Sequence, residues 1–368
     1  MHKNETHVRE PLFHIVKRDA LPGWQSAAIR VLAVLISLIV CGFVIVLFTG
    51  ENPISVYATM IKGAVGTNRR LWNLLQSVAI LLCISLAVTP AFRMRFWNTG
   101  AEGQALIGGL ATAACMIFFG GKMPTALLLL VTVIASLAAG AIWGLIPALF
   151  KAYWGTNETL FTLMMNYVAI QIVSFFTYRF SVPKGSGQIG IINRDTRAGW
   201  LPVIGNNYLL NILIVVILTV IIYIYLNYTK HGYEISVVGE SENTARYIGI
   251  NVRKVIIRTM LISGAICGLT GLLLVAGTDH TITRDTVAGR GFTAIMVSWM
   301  AKFNPIYMIF TSFLICFMSK GSVEIATVFG LNDSFADIIT GIIIFFIIGS
   351  EFFINYEIKR THRKGGKA

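Results

Sequence analysis

The sequence predicts an all-α, polytopic membrane protein with about ten transmembrane or half-membrane helices. Three observations carry that expectation. Of 368 residues, 55% are hydrophobic and only 13% are charged, about half the share of charge usual in soluble domains. The mean hydropathy is +0.72. Apolar runs of roughly 20 residues recur along the chain, the length that crosses a hydrocarbon layer near 30 Å at about 1.5 Å per residue. Such a chain is neither disordered, nor a secreted disulfide scaffold, nor a water-soluble enzyme of ordinary build.

Taken in order, the first apolar run covers 27–49. It is too long for the apolar region of a cleavable signal and has no small-x-small cleavage site, so it reads as a retained helix. Clear spans follow at 71–89, 124–150, 160–178, 208–228, 255–277 and 335–353. Two more, 101–119 and 305–319, are shorter or richer in glycine. A tenth, 292–302, is too short to cross unless it is a half-helix or joins its neighbour. This divides the chain into an N-terminal segment 1–26, a membrane domain 27–353 and a basic tail 354–368.

The net charge of +13 reads as the bias of a membrane protein toward basic inner loops, and no nucleic-acid partner is expected. With the N-terminus inside, the inner connections hold the larger share of Lys and Arg. The cluster from Lys230 to Arg258 and the tail residues Lys359, Arg360, Arg363, Lys364 and Lys367 then face the cytoplasm. The long connections 179–207, outside, and 229–254, inside, are both too short to bury a core of their own.

Chemistry is sparse. The nucleotide loop Gly-x4-Gly-Lys-Ser/Thr, the His-Glu-x-x-His pair and the Gly-x-Ser-x-Gly elbow are all missing. A literal Gly-x-Gly-x-x-Gly at Gly185–Gly190 has no βαβ unit around it. Cys41, Cys83, Cys115, Cys267 and Cys316 each lie in an apolar run, without metal spacing. No catalytic residue, cofactor or metal is expected.

Several polar features do stand out. Trp97-Asn98-Thr99-Gly100-Ala101-Glu102-Gly103-Gln104 opens the third span. Glu102 either faces the bundle interior or sits at an interfacial helix start near the positive end of the dipole. Asn157 or Thr156 is placed to cap the helix that begins at Glu158. Asn166, well inside that helix, serves either as interhelical glue or as part of a polar path. Gly140-x3-Gly144 and Gly264-x3-Gly268 allow close helix packing. Between Gly239 and Ile250, Glu242 pairs with Arg246 at i,i+4, and Ala245, Ile248 and Ile250 offer an apolar side. That segment is either a docking knob for a soluble partner or a linker lying on headgroups.

Four of these blocks resemble one family. Gly239, Glu240, Asn243, Ala245, Arg246, Gly249 and Ile250 stand in a segment similar to the Gly-x-Asn-x-x-Ala-Ala-x-x-x-Gly-Ile signature of permeases in bacterial ABC importers for branched-chain amino acids, sugars and nucleosides. Ser241 and Thr244 depart from it. Asn98-x-Gly100-Ala101-Glu102-Gly103-Gln104 resembles the family's Asn-x-Gly-x-Glu-Gly-Gln string. Asn157-Glu158 with Thr162–Tyr167, and Gly289-Arg290-Gly291-Phe292-Thr293-Ala294-Ile295, look most like the nucleoside branch.

The resemblance implies an inverted-repeat permease in the bacterial cytoplasmic membrane. It implies a second permease subunit, a cytoplasmic ABC ATPase that hydrolyses the ATP, and an extracytoplasmic substrate-binding lipoprotein. By the same analogy Gly239–Ile250 couples to the ATPase. Trp97, Asn98, Gly100, Glu102, Gln104, Asn166 and Phe292 flank the substrate pathway, offering amides and aromatic faces to a nucleoside. A sugar or branched-chain amino acid permease is the alternative within the family. A self-contained secondary transporter would want paired ionisable residues at the midplane, of which the clear spans show almost none. A membrane enzyme would want a cluster of His, Asp or Glu, and an inert scaffold would leave the inner knob without purpose.

Overall fold

The computed structural model describes residues 13–18 and 22–360. The tail cations Arg363, Lys364 and Lys367 and the first twelve residues lie outside the described residues. Two units emerge: one from the chain's two ends, through Gly63 and from Met318, the other from Ala64 to Phe317. Among the described residues, nine helices are long and apolar enough to cross a membrane.

In the first unit, α1 (Gly23–Thr49) packs on α13 (Asp333–Asn355). Arg30 clamps one oxygen of Glu351 through Nε at 2.9 Å and Nη2 at 2.6 Å. The Tyr57 hydroxyl of α2 (Pro53–Val65) donates to the Leu38 carbonyl. This thirteen-residue helix lies in a stretch that hydropathy alone left unassigned. Two short strands, β1 (Phe13–Lys17) and β2 (Tyr356–Arg360), pair antiparallel from Phe13↔Arg360 to Lys17↔Tyr356.

The second unit holds α3 (Asn68–Arg93), α4 (Ala101–Phe119), α5 (Thr125–Trp154), α6 (Glu158–Arg179) and α7 (Leu209–Tyr228). They are followed by the short α8 (Lys230–Glu240) and α9 (Glu242–Tyr247), then α10 (Val252–Leu274) and α11 (Arg290–Met300). α12 (Pro305–Val328) begins here. Capping explains half of the starts. Side-chain oxygens of Thr67, Asn157, Thr229, Ser241 and Asn251 accept the N–H three residues on, each satisfying an orphan donor of a first turn. Of the two candidates before Glu158, Asn157 is the cap.

α10 is the centre of this unit, packed against α5, α4 and α3. The approach is so close that backbone meets backbone. A Cβ on Gly264 would strike the Gly140 carbonyl oxygen, and one on Gly108 would strike Gly268 Cα. The Ser136 hydroxyl donates to the Gly268 carbonyl at 2.9 Å across the same seam. The two small-residue motifs therefore face each other. Without a hydrophobic drive between helices in lipid, such contact is what holds them.

The tenth span is α11, an eleven-residue half-helix about 16 Å long. Beyond α10 the chain makes a π-turn at Val275–Asp279, and the connection 281–289 is non-helical. At its start the His280 carbonyl accepts Ile192 N–H at 2.8 Å, and its ring stacks on Trp200 with centroids 3.6 Å apart. The connection 179–207 thus packs locally rather than standing free, with Ile192 and Ala198 buried.

Candidate functional site

α4 begins where the chain re-enters the protein after α3, and its opening residues form one buried polar knot. Asn98 is fully buried, Gln104 1% exposed, Asn166 2% and Glu102 6%. Buried polar groups demand partners, and these supply one another. Asn98 Nδ2 donates to Gln104 Oε1 at 3.3 Å and to the Ser263 hydroxyl at 3.2 Å, while Gln104 Nε2 donates back to Asn98 Oδ1 at 3.2 Å. Asn98 Oδ1 also accepts the Gly100 N–H at 3.0 Å.

From α6, Asn166 Nδ2 donates to the Thr99 carbonyl at 2.8 Å, and its oxygen accepts the Gly103 N–H at 2.8 Å. Asn166 therefore joins α6 to the mouth of α4, in the role of interhelical glue. Glycine is required at 103, where a Cβ would stand 2.8 Å from that oxygen and 3.0 Å from Asn166 Cα.

Glu102 faces the interior. Its carboxylate serves a different helix from its own: Oε1 accepts the Gly289 N–H at 2.8 Å and Oε2 the Gly291 N–H at 2.7 Å. An anion at the N-terminus of α11 meets both orphan donors and the positive dipole end. Gly291 leaves no room for a Cβ beside Glu102, and Gly289 sits at φ +72°. These two glycines are spread over almost two hundred residues from Glu102, so spacing alone could not connect them.

Five of the expected pathway residues, Asn98, Gly100, Glu102, Gln104 and Asn166, thus converge. Trp97 and Phe292 are 42% and 44% exposed and lie on the surface beside the knot. Trp97 is joined by partners that motif reading missed: its ring lies 5.2 Å from Trp299 and 5.6 Å from Phe92. Phe303 stacks on Phe92 at 6.3 Å. The i,i+3/i+4 recurrence of Phe292, Ile295, Met296 and Trp299 along α11 was the signal available in the sequence.

The second constellation is the Gly239–Ile250 segment. The single amphipathic helix expected there is two helices, broken at Ser241. Ala245 is buried and Ile250 packs against the core, but Ile248 is 51% exposed and Tyr247 93%. Ile248 therefore points outward rather than sharing an apolar side with Ala245. Glu242 and Arg246 pair at 3.2 Å on the exposed face. Gly249 takes φ +85° with open space around it, turning the chain back toward α10.

This knob is tied to the central helices at two points. Gly239 lies flat on the Arg93 carbonyl at the end of α3, where a Cβ would not fit. Glu234 of α8 accepts from Arg258 Nη2 of α10 at 2.9 Å. A groove of about 280 Å³ beside the knob is lined by Arg95, Lys151, Glu158, Gly239 and Glu242 among others. Lys151 and Glu158, paired at 2.7 Å, join α5 to α6 at its edge.

Among the described residues, no group of three or more His, Cys, Asp or Glu is placed to hold a metal. Nine helices long and apolar enough to cross a membrane, among the described residues, define the class as a polytopic membrane protein. The chain belongs to the family described as the permease component of the branched-chain amino acid transport system, whose model matches residues 70–348. It is a multi-pass protein of the cell membrane and the permease part of an ABC transporter.

Among curated proteins it is 29% identical to the guanosine ABC transporter permease of Bacillus subtilis, over 88% of this chain and 93% of that one. It is 28% identical to the nucleoside ABC transporter permease of Lactococcus lactis, over 92% and 98%. It is likewise 29% identical to the glucose ABC transporter permease of Haloferax volcanii, over 93% and 92%.

Proposed function

We propose that this chain forms the translocation path of an ATP-driven nucleoside importer, together with a second permease subunit. A separate cytoplasmic ATPase supplies the energy, and an extracytoplasmic binding lipoprotein delivers the solute. The observation that carries the substrate class is the pair of relatives named for guanosine and for nucleosides, each matched over most of both chains. The glucose permease relative, equally similar, supports a sugar importer as the second reading.

In this account α8 and α9 are the coupling element. Tyr247 and Ile248 are the exposed contacts offered to the ATPase. Motion at the knob reaches α3 through Gly239 and α10 through the Glu234–Arg258 pair. A conformational change follows only from contacts that differ between two states, and two packed helices displaced as rigid rods provide those states. Asn98, Gly100, Glu102, Gln104 and Asn166 brace the wall of the path, while Trp97 and Phe292 face it. The knob lies on the cytoplasmic side.

The test is ATPase stimulation in the reconstituted complex. Binding protein loaded with guanosine accelerates ATP hydrolysis several-fold, and glucose-loaded protein does not. The opposite order replaces the nucleoside by the sugar, and no stimulation by either removes both.

A further inference from the structure

Arg290 is the first residue of α11, and the fold fixes its depth. At the other end of this half-helix, Phe303 stacks on Phe92, next to Arg93 at the end of α3. Eleven residues of helix therefore place Arg290 about 16 Å along α11 from that level, which is half the thickness of a hydrocarbon layer near 30 Å if Arg93 stands at its inner boundary. His280, held by Ile192 and Trp200 of the connection 179–207, marks the opposite end. The chain between His280 and Gly289 joins that end to α11 without helix.

Irregular backbone at membrane depth is not left against lipid tails. It is covered by protein or it borders water. Here this chain covers it only in part: Ile282 and Val287 are buried, but Ala288 and Gly289 are exposed, and the side chains of Arg284 and Asp285 are 69% and 79% accessible. Arg290 is partly exposed, and its guanidinium hydrogen-bonds to no described residue. It is near enough to Glu102 and Asp279 to interact with both carboxylates electrostatically. A cation at this depth facing lipid is costly, and such residues mark solute pathways.

We infer that Arg290 lines the water-filled translocation path and is the hydrogen-bond donor that the passing solute meets at its midpoint. This rests on the transport reading above. Glu102 has already taken the Gly289 and Gly291 N–H groups, so the helix end offers the solute little, and the guanidinium's five donors remain. The Glu102 charge offsets that of Arg290, which suits an uncharged solute rather than a phosphorylated one. A nucleoside presents base carbonyls and ring nitrogens, acceptors that a guanidinium engages in pairs.

The experiment is cysteine accessibility in membranes holding the intact transporter. All five native cysteines are buried, so the unmodified chain provides a quiet background. Arg290→Cys and Thr293→Cys, one turn apart on α11, are exposed to a charged, membrane-impermeant methanethiosulfonate. Ile217→Cys, 59% exposed in the middle of α7, is the lipid-facing reference.

Arg290→Cys and Thr293→Cys are expected to react at least tenfold faster than Ile217→Cys, with guanosine slowing Arg290→Cys several-fold. Protection by glucose in place of guanosine supports Arg290 as the solute's contact and removes the nucleoside reading alone. Reaction at the Ile217→Cys rate overturns the inference, since a second protein or lipid then covers this face. If Arg290→Cys does not accumulate, Thr293→Cys carries the same test. In uptake, Arg290→Gln is expected to slow guanosine transport about tenfold, with part of the rate kept by Arg290→Lys, which retains a cationic donor. Equal loss in both variants overturns the recognition role.

Discussion

Glu102 spends its two oxygens on backbone donors of a distant helix, which makes it the residue whose loss is felt furthest. Hydrogen bonds to charged groups contribute about 1.5–3 kcal/mol each, and removing the acceptor strands two N–H groups. Glu102→Ala is therefore expected to destabilise the detergent-solubilised chain by about 3 kcal/mol or more. Glu102→Gln, which keeps one acceptor, should cost about half as much. Thermal unfolding that leaves both variants at the wild-type midpoint would contradict the cap. His280 offers a second test. Burial first, and then the nearby Arg197 guanidinium, hold its imidazole below the ordinary range, so the folded chain keeps it neutral against Trp200. The unfolded chain takes up that proton first. The stabilisation is therefore whole above about pH 6.5 and is lost as pH falls below it. Loosening of the Trp200 stack on acidification, absent in His280→Gln, is the expected fluorescence result. From the sequence alone Glu102 had two readings and His280 none, because the partners of both are brought by folding from elsewhere in the chain.

At the scale of elements, apolar run length located eight of the nine long helices to within a few residues, since lipid imposes both length and composition; α12 runs nine residues past the expected 305–319, to Val328, because Ser319, Lys320, Ser322 and Glu324 interrupt its apolar run. Run length failed where lipid imposes nothing. α2 and α8 are short, the break at Ser241 is a local capping event, and the exposure of Ile248 depends on how Gly249 turns the chain. The packing seam was legible as two glycine motifs, though not their pairing. Because Gly140 and Gly264 meet backbone to backbone, Gly264→Val must drive α10 from α5. Overpacking of this kind costs about 1–3 kcal/mol, and a lowered unfolding midpoint with reduced uptake is expected. The proposed coupling element, α8 and α9, gives a prediction of different character. Tyr247→Ala and Ile248→Ala touch nothing in the core, so expression and stability should stay at wild-type level while ATP-driven uptake falls about tenfold, the scale of an interface anchor. Glu234→Arg and Arg258→Glu singly should uncouple hydrolysis from uptake. Partial recovery in the double variant would show that the pair acts as a strut, and additive loss would argue against it.

For the whole molecule, the proposal places ATP hydrolysis on a separate subunit and its action on an exposed knob that is joined to the central helices of this chain. On that proposal a partner subunit does the work through the knob. The measurement that bears on it most directly is concentrative uptake of labelled guanosine into proteoliposomes. The chain would be reconstituted either alone or with its partner permease, ATPase and binding protein. Accumulation above the external concentration is expected only in the complete assembly and only with ATP. Accumulation by the lone chain, or accumulation that persists without ATP and collapses with a proton gradient, would contradict the account.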